Sequence, residues 1–297
     1  MYQLSQTLQT ALSAGNRQRV LIEFTNKPDG TAYSPIVQFS NEDILITNGV
    51  KLTAEFNSET DLTIGLCPSA EIQFDMLNDL GQLADFEFGT FKAYLGAKIT
   101  SGTPAAGAKT KTFSDGLYEF APLGTFIAKR PDIVKKNIIS VDANDLMTLF
   151  DEDMPEPNVL NMTYPTTLSA MAQAMCAYLG VTLKSNTWLN STLAVTAEPD
   201  QFEAATMREV LGWIAEAGCS NARFDRDGLL EFVWFNPVNK SYDEHNYTEF
   251  TPTWYATAAI DGLHIRNADS TTEYVVGTGD NAYMILDNPF LRQSDAT

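Results

Sequence analysis

The chain of 297 residues carries 19 Lys+Arg against 38 Asp+Glu, a formal net charge of −19, with 44% hydrophobic residues. That is material for two or three domains with real cores. The carboxylate surplus repels phosphate and argues against specific DNA or RNA recognition, which depends on lysine and arginine releasing counterions. No stretch reaches the roughly 18 consecutive apolar residues of a membrane span, so no membrane insertion is expected.

The opening Met1-Tyr2-Gln3-Leu4-Ser5-Gln6 has neither a basic head nor an apolar run of signal-peptide length, so folding in a cytoplasm is expected. Leu4, Leu8, Ala11 and Leu12 lie at helical spacing within Tyr2 to Ala14, and Gly15-Asn16 can stop that helix. From Arg19 the texture turns to strands. Val20–Phe24, Ile44–Ile46, Val50–Phe56, Ala70–Phe74, Phe91–Leu95, Tyr118–Phe120, Gly124–Ala128 and Ile138–Ala143 read as short strands, several with one apolar and one polar face. Many short strands with turn chemistry such as Lys27-Pro28-Asp29-Gly30 between them predict an antiparallel barrel or sandwich. Residues 78–88 read as a connection near one end. Thr100 to Gly116 is small and nearly free of large apolar residues, and reads as a flexible hairpin loop between two barrel strands.

The acidic, proline-punctuated run Asp151-Glu152-Asp153-Met154-Pro155-Glu156-Pro157 sets a domain boundary. Beyond it Tyr164-Pro165-Thr166-Thr167 opens a helix with a buried stripe of Leu168, Met171, Ala172, Met175 and Leu179, ended by Gly180. Val181-Thr182-Leu183 resumes extended chain. Thr206-Met207-Arg208-Glu209 is a capping box, followed by Val210, Leu211, Ile214 and Ala217 on one face and closed by Gly218. Asn221–Phe224, Asp225-Arg226-Asp227-Gly228 and Leu229–Phe235 make a hairpin. After Asn236-Pro237, the runs Ile260–Ile265, Glu273–Gly277 and Ala282–Leu286 return to strands. The fold class is thus α+β: mainly antiparallel β-barrel domains with a small two-helix plus hairpin middle domain. Domains are expected at 1–150 (a β-barrel with its leading helix and the loop 100–116), at 151–237 (α+β), and at 238–297 (a second β domain, its completeness left open).

The inventory supplies no catalytic, cofactor or metal constellation. His245 and His264 stand in separate segments without a second helical histidine, so a multi-histidine metal site is not expected. Cys67, Cys176 and Cys219 form no C-x-x-C pair, and neither a disulfide framework nor a cysteine nucleophile is expected. Gly277-Thr278-Gly279 reads as a turn rather than a phosphate cradle. Asp151, Glu152, Asp153 and Glu156 lack the spacing of a calcium loop and read as a solvated linker. Asp225, Asp227 and Gly228 are accounted for by the hairpin turn. Trp188, Trp213, Trp234 and Trp254 are scattered over different elements, although aromatics beside a carboxylate pair would suit a carbohydrate-binding or carbohydrate-processing β protein.

One run rises above composition. It comprises Tyr164-Pro165-Thr166-Thr167-Leu168, then Cys176-Ala177-Tyr178-Leu179-Gly180-Val181, then Thr206 through Ala222 and Arg226-Asp227-Gly228-Leu229-Leu230. It resembles the middle domain of prophage tail hub proteins from Gram-positive hosts, which are similar to baseplate hubs of contractile tails and to the N-terminal part of siphophage tail-associated proteins. Asn16-Arg17-Gln18-Arg19, Ile139–Asp145 and Asp287-Asn288-Pro289-Phe290-Leu291 agree in kind and order. The resemblance implies a structural virion protein and not an enzyme: a baseplate hub subunit, assembled in the host cytoplasm, that joins the tail tube to the tip or spike. It implies a homotrimeric ring of paired barrels, with tube or distal tail protein on one face, tip or spike protein on the other, and DNA only as passing cargo. Family members continue past the Asn288-Pro289 segment, which puts the trimer of this chain in question.

Overall fold

A computed structural model of the chain describes residues 4–45, 49–54, 63–78, 86–129, 132–135, 137–234, 262–266, 273–277, 282–286 and 288–291. The chain divides into two compact units, one of residues 1–55, 69–149 and 224–230, the other of 56–68, 150–223 and 231–297.

The first unit is built on one antiparallel sheet. Its strands are β1 (Gln18–Asn26), β2 (Ala32–Ser40), β3 (Val50–Thr53), β4 (Glu71–Leu77), β5 (Thr90–Lys98), β6 (Lys109–Phe113), β7 (Gly116–Ala128), β8 (Asp132–Lys135) and β9 (Ile138–Asp145). They pair in the order β2-β1-β5-β7-β9-β4-β3, with β6 also on β7 and β8 also on β9. β4 and β9 show why the pattern was readable. Ile72, Phe74 and Met76 alternate inward against Ile139, Val141 and Ala143 in register, so each strand buries one face. Phe24, Phe91 and Phe126 complete that core, with Phe91 and Phe126 stacked at 5.7 Å.

β1 breaks the alternation because both of its faces are covered. Ile22 and Phe24 enter the main core, while Leu21 packs under Tyr118 and Phe120 on the other side. Phe120 can lie there because its register partner is Gly96, where a Cβ would sit 2.5 Å from the ring.

Closure into the expected barrel is not seen: β2 and β3 end the strand path among the described residues. The chain leaving β2 still reaches β4. Leu45 N–H donates to the Asp75 carbonyl at 2.9 Å and Leu77 N–H to the Asp43 carbonyl at 2.8 Å. Pairing at this seam stops there because β3 occupies the rest of that β4 edge, from Val50 opposite Phe74 to Thr53 opposite Glu71. The segment 100–116 is corrected. It is loop only as far as 108, and β6 then ladders onto β7 from Lys109 opposite Phe120 to Phe113 opposite Gly116. The leading helix α1 (Gln6–Ser13) is capped by Ser5, whose hydroxyl accepts from Leu8 N–H, and it lays Leu8 and Ala11 on Ala97 and Ala121.

A short 3-10 turn (Leu146–Asp151) carries the chain out of the first unit, and the second continues with β10 (Thr166–Thr167) and α2 (Leu168–Tyr178). Thr167 caps α2, which buries Leu168, Met171, Ala172, Met175 and Cys176. Gly180 takes the left-handed φ of +69° that a helix stop needs. β11 (Thr182–Leu183), β12 (Ala194–Val195) and a 3-10 turn (Asp200–Ala204) lead to α3 (Met207–Ala217), where Thr206 and Glu209 form the capping box in both directions. Gly218 ends α3, but at φ −86°, and Cys219 takes the left-handed turn at φ 46°. Gly218 is required for space instead: a Cβ there would lie 2.9 Å from Trp188. β13 (Asn221–Phe224) and β14 (Leu229–Val233) form the hairpin, and β11 adds to β14.

Two stretches distant in sequence pack on α3. Gly65 N–H donates to the Ser220 carbonyl at 2.9 Å, and Leu66 N–H donates to Asn221 Oδ1 at 2.8 Å. The close approach is possible because both backbones carry glycine: a Cβ on Gly212 would stand 2.9 Å from the Gly65 carbonyl. From the other end, Asn288 Nδ2 donates to the Trp213 carbonyl at 3.0 Å and to Glu216 Oε2 at 2.8 Å, and Phe290 packs edge-on against Phe202. The last strands, β15 (Gly262–Arg266), β16 (Glu273–Gly277) and β17 (Ala282–Leu286), pair as β16-β15-β17. β15 runs antiparallel to β16 and parallel to β17. The whole is a mostly antiparallel β protein with few helices.

Candidate functional site

The structure disperses most of the residues weighed for chemistry. His264 sits mid-strand on β15, opposite Val275 and Met284, and His245, Trp254 and Thr278-Gly279 lie outside the described residues. Among the described residues no group of three His, Cys, Asp or Glu side chains is placed to hold a metal ion. Burial pushes the Cys67 and Cys176 thiols up to about 12, away from the thiolate that nucleophilic or redox chemistry needs. Asp225 Oδ1 accepts from the N–H groups of Asp227 and Leu229, both at 2.9 Å, so this carboxylate serves the hairpin turn.

The acidic run 151–156 is not a free linker. Asp153 bridges Thr206, Met207 N–H donates to the Glu152 carbonyl at 2.8 Å, and Met154 N–H donates to the Ala205 carbonyl at 2.8 Å. Asp151 meets Arg208 at 2.8 Å. The run thereby places carboxylates at the N-terminal end of α3, where the helix dipole favours them. The tryptophans separate. Trp188 stacks on Phe232 at 4.1 Å and Trp213 lies parallel to Phe202 at 6.3 Å, while Trp234 is 50% exposed. Glu231 alternates to the strand face opposite Phe232, where it binds Arg223 and Lys184.

Buried polar chemistry that the sequence did not announce gathers on the outer face of β1. Arg19, 4% exposed, reaches Glu42 and Asp115 at 3.2 Å each and lies 4.3 Å over the Phe113 ring. The Tyr118 hydroxyl, reinforced by the Arg19 charge, holds Asp115 below the usual carboxylate range. Two residues along, Glu23 takes Lys109 Nζ at 2.6 Å and the Gln38 amide at 2.5 Å. Arg19, Glu23, Lys109 and Asp115 thus sit in ion pairs and hydrogen bonds within this unit.

The first unit carries a cleft of about 540 Å³ beside α1, bordered by Leu4, Ser5, Leu8, the loop Ala105–Ala108, and Glu119 to Pro122 of β7. Glu119 is 2% exposed; the Ser5 hydroxyl donates to its Oε1, while Oε2 has no hydrogen-bond partner among the described residues.

No protein-family model matches the chain, and no curated protein matches it. Similar solved structures include a 43 kDa tail protein of prophage MuSo2 from Shewanella oneidensis, at 13% identity and a TM-score of 0.46 over 91% of this chain and 72% of that one. They also include a tail protein from Neisseria meningitidis MC58, at 15% identity and a TM-score of 0.45 over 94% of this chain and 70% of that one. At these values neither a common fold nor a common role follows from the likeness.

Proposed function

We propose that the chain is a structural component of a phage or prophage tail, a hub subunit that joins the tail tube to the tip or spike, and that it has no catalytic activity. The observation that carries this reading is the middle signature. The residues that resemble tail hub proteins from Thr167 to Leu230 are the ones that cap α2, box α3 and turn the hairpin. The resemblance therefore lies in the folding determinants of two helices and a hairpin, not in a loop of general composition. An antiparallel sheet unit precedes this module and further strands follow it, in the order the reading requires.

On this reading the chain works as a homotrimer, each copy lending sheet to a ring with tube or distal tail protein on one face and tip or spike protein on the other. The charge of −19 suits a conduit for DNA, since carboxylates facing a lumen repel phosphate. The carbohydrate alternative needs an aromatic platform beside a carboxylate pair. At the Trp188–Phe232 stack, Glu231 alternates to the other strand face, with its cationic partners Arg223 and Lys184. The reading is tested by deleting the coding sequence from the genome that carries it and inducing particle formation. Tailless or tip-deficient, non-infectious particles are expected, restored by the gene in trans; normal infectious tails in the deletion would refute it.

A further inference from the structure

We infer that residues 288–290 form a strap across α3 whose closure is coupled to a proton on Glu216. The strap holds the helix through side chains. Asn288, 1% exposed, donates through Nδ2 to the Trp213 carbonyl at 3.0 Å and to Glu216 Oε2 at 2.8 Å. Its Oδ1 accepts from Phe290 N–H at 3.0 Å, and its carbonyl accepts from Leu291 N–H at 3.2 Å. That turn sets the Phe290 ring edge-on to Phe202 at 6.0 Å. Both polar atoms of the Asn288 side chain are thereby used, so its seat on α3 is specific.

Under the strap lies an acid without a counter-charge. Among the described residues, the groups that face Glu216 are the Asn288 amide on the strap, the Cys219 thiol past the end of α3 and the Tyr283 phenol on β17. The segment 63–66 brings only backbone: a Cβ on Gly65 would stand 2.9 Å from the Glu216 Cβ. No cation answers Glu216 among the described residues, and burial raises its carboxyl above the ordinary range. An ionised carboxylate in such a place gains by reaching water, and for that one of its covers must open. The segment 63–66 is pinned to the chain after α3 by backbone. Gly65 N–H donates to the Ser220 carbonyl and Ala222 N–H to the Leu66 carbonyl, both at 2.9 Å, and the Asn221 side chain bonds Leu66 N–H and the Thr63 carbonyl. The strap is held by one side-chain amide and one ring, so it is the cover that yields. The closed form binds the Glu216 proton more tightly than the open form. Closure is therefore favoured below the raised value and weakens as pH rises through it.

The test follows amide hydrogen exchange of Phe290 and Leu291 in the intact chain, each rate divided by its intrinsic rate at the same pH. From about pH 5 to about pH 8 their protection should fall at least about threefold, while the amides of α2 keep theirs. Glu216→Gln, which keeps an acceptor and removes the charge, should abolish that dependence. Asn288→Ala should leave the two amides poorly protected throughout the range, again with α2 unchanged. Wild-type protection that does not vary with pH, that varies equally in Glu216→Gln, or that survives Asn288→Ala would overturn the inference. A fall shared by α2 would overturn it too, since the pH response would then belong to the whole unit.

Discussion

Single side chains decide more of this fold than their exposure would suggest. Asp145, 5% exposed at the end of β9, accepts from Ser69 Oγ at 2.8 Å, Ala70 N–H at 3.0 Å and Met147 N–H at 3.1 Å. Asp145→Ala strands buried donors, so it should cost about 2–4 kcal/mol, read as a lower denaturant midpoint at unchanged slope. Glu216 has the opposite sign. Burial raises its carboxyl above the ordinary range, against a smaller lowering by the Asn288 amide. The folded state therefore holds the Glu216 proton more tightly than the unfolded chain does. This group's contribution to stability falls as pH rises from the unfolded value toward the raised folded one. Glu216→Gln, which keeps an acceptor for Asn288, should raise Tm at pH 7, and the gain should vanish at about pH 3, below the ordinary glutamate value, where the wild-type carboxyl is mostly protonated in both states. A gain that is the same at pH 7 and about pH 3 would contradict it. Little of this was legible in the sequence. Asp145 and Glu216 read as ordinary acids of a strand end and a helix face, and only partners 75 and 72 residues away give them their roles.

Elements were legible where local rules suffice. The capping box at Thr206 and Glu209, the Thr167 cap and the Asp225–Gly228 turn each satisfy their backbone within four residues, so sequence spacing shows them directly. Thr206→Ala should accordingly cost about 1 kcal/mol, measured by thermal or chemical unfolding. Where burial depends on distant chain, the reading failed. Lys109-Thr110-Lys111-Thr112 has no apolar face, and it is a strand only because β7 continues far enough to carry it as well as β5. β2, with Ile36 at 49% exposure and a proline in its middle, has the pattern of an edge and went unread as a strand. On the outer face of β1, Arg19 and Glu23 flank Leu21, and nothing in that spacing announces burial. The return of β6 and β7 over it cannot be seen from spacing alone.

At the scale of the molecule, the chain interleaves its two units: 56–68 leaves the first to join the second, and 224–230 returns. Sequence reading places boundaries at composition breaks, so an interleaved assignment of this kind is outside its reach. Barrel closure is not legible for a related reason. Strand number and alternation are local, whereas closure depends on which strands meet at the outer edge of β4, where β3 pairs. The central claim, that this chain is built into a tail, is tested most directly by gold-labelled antibody against it on purified particles from the genome that encodes it. Label confined to the distal end of the tail, with three copies per particle by quantitative mass spectrometry, is the predicted result. Particles that contain none of the chain would contradict the account.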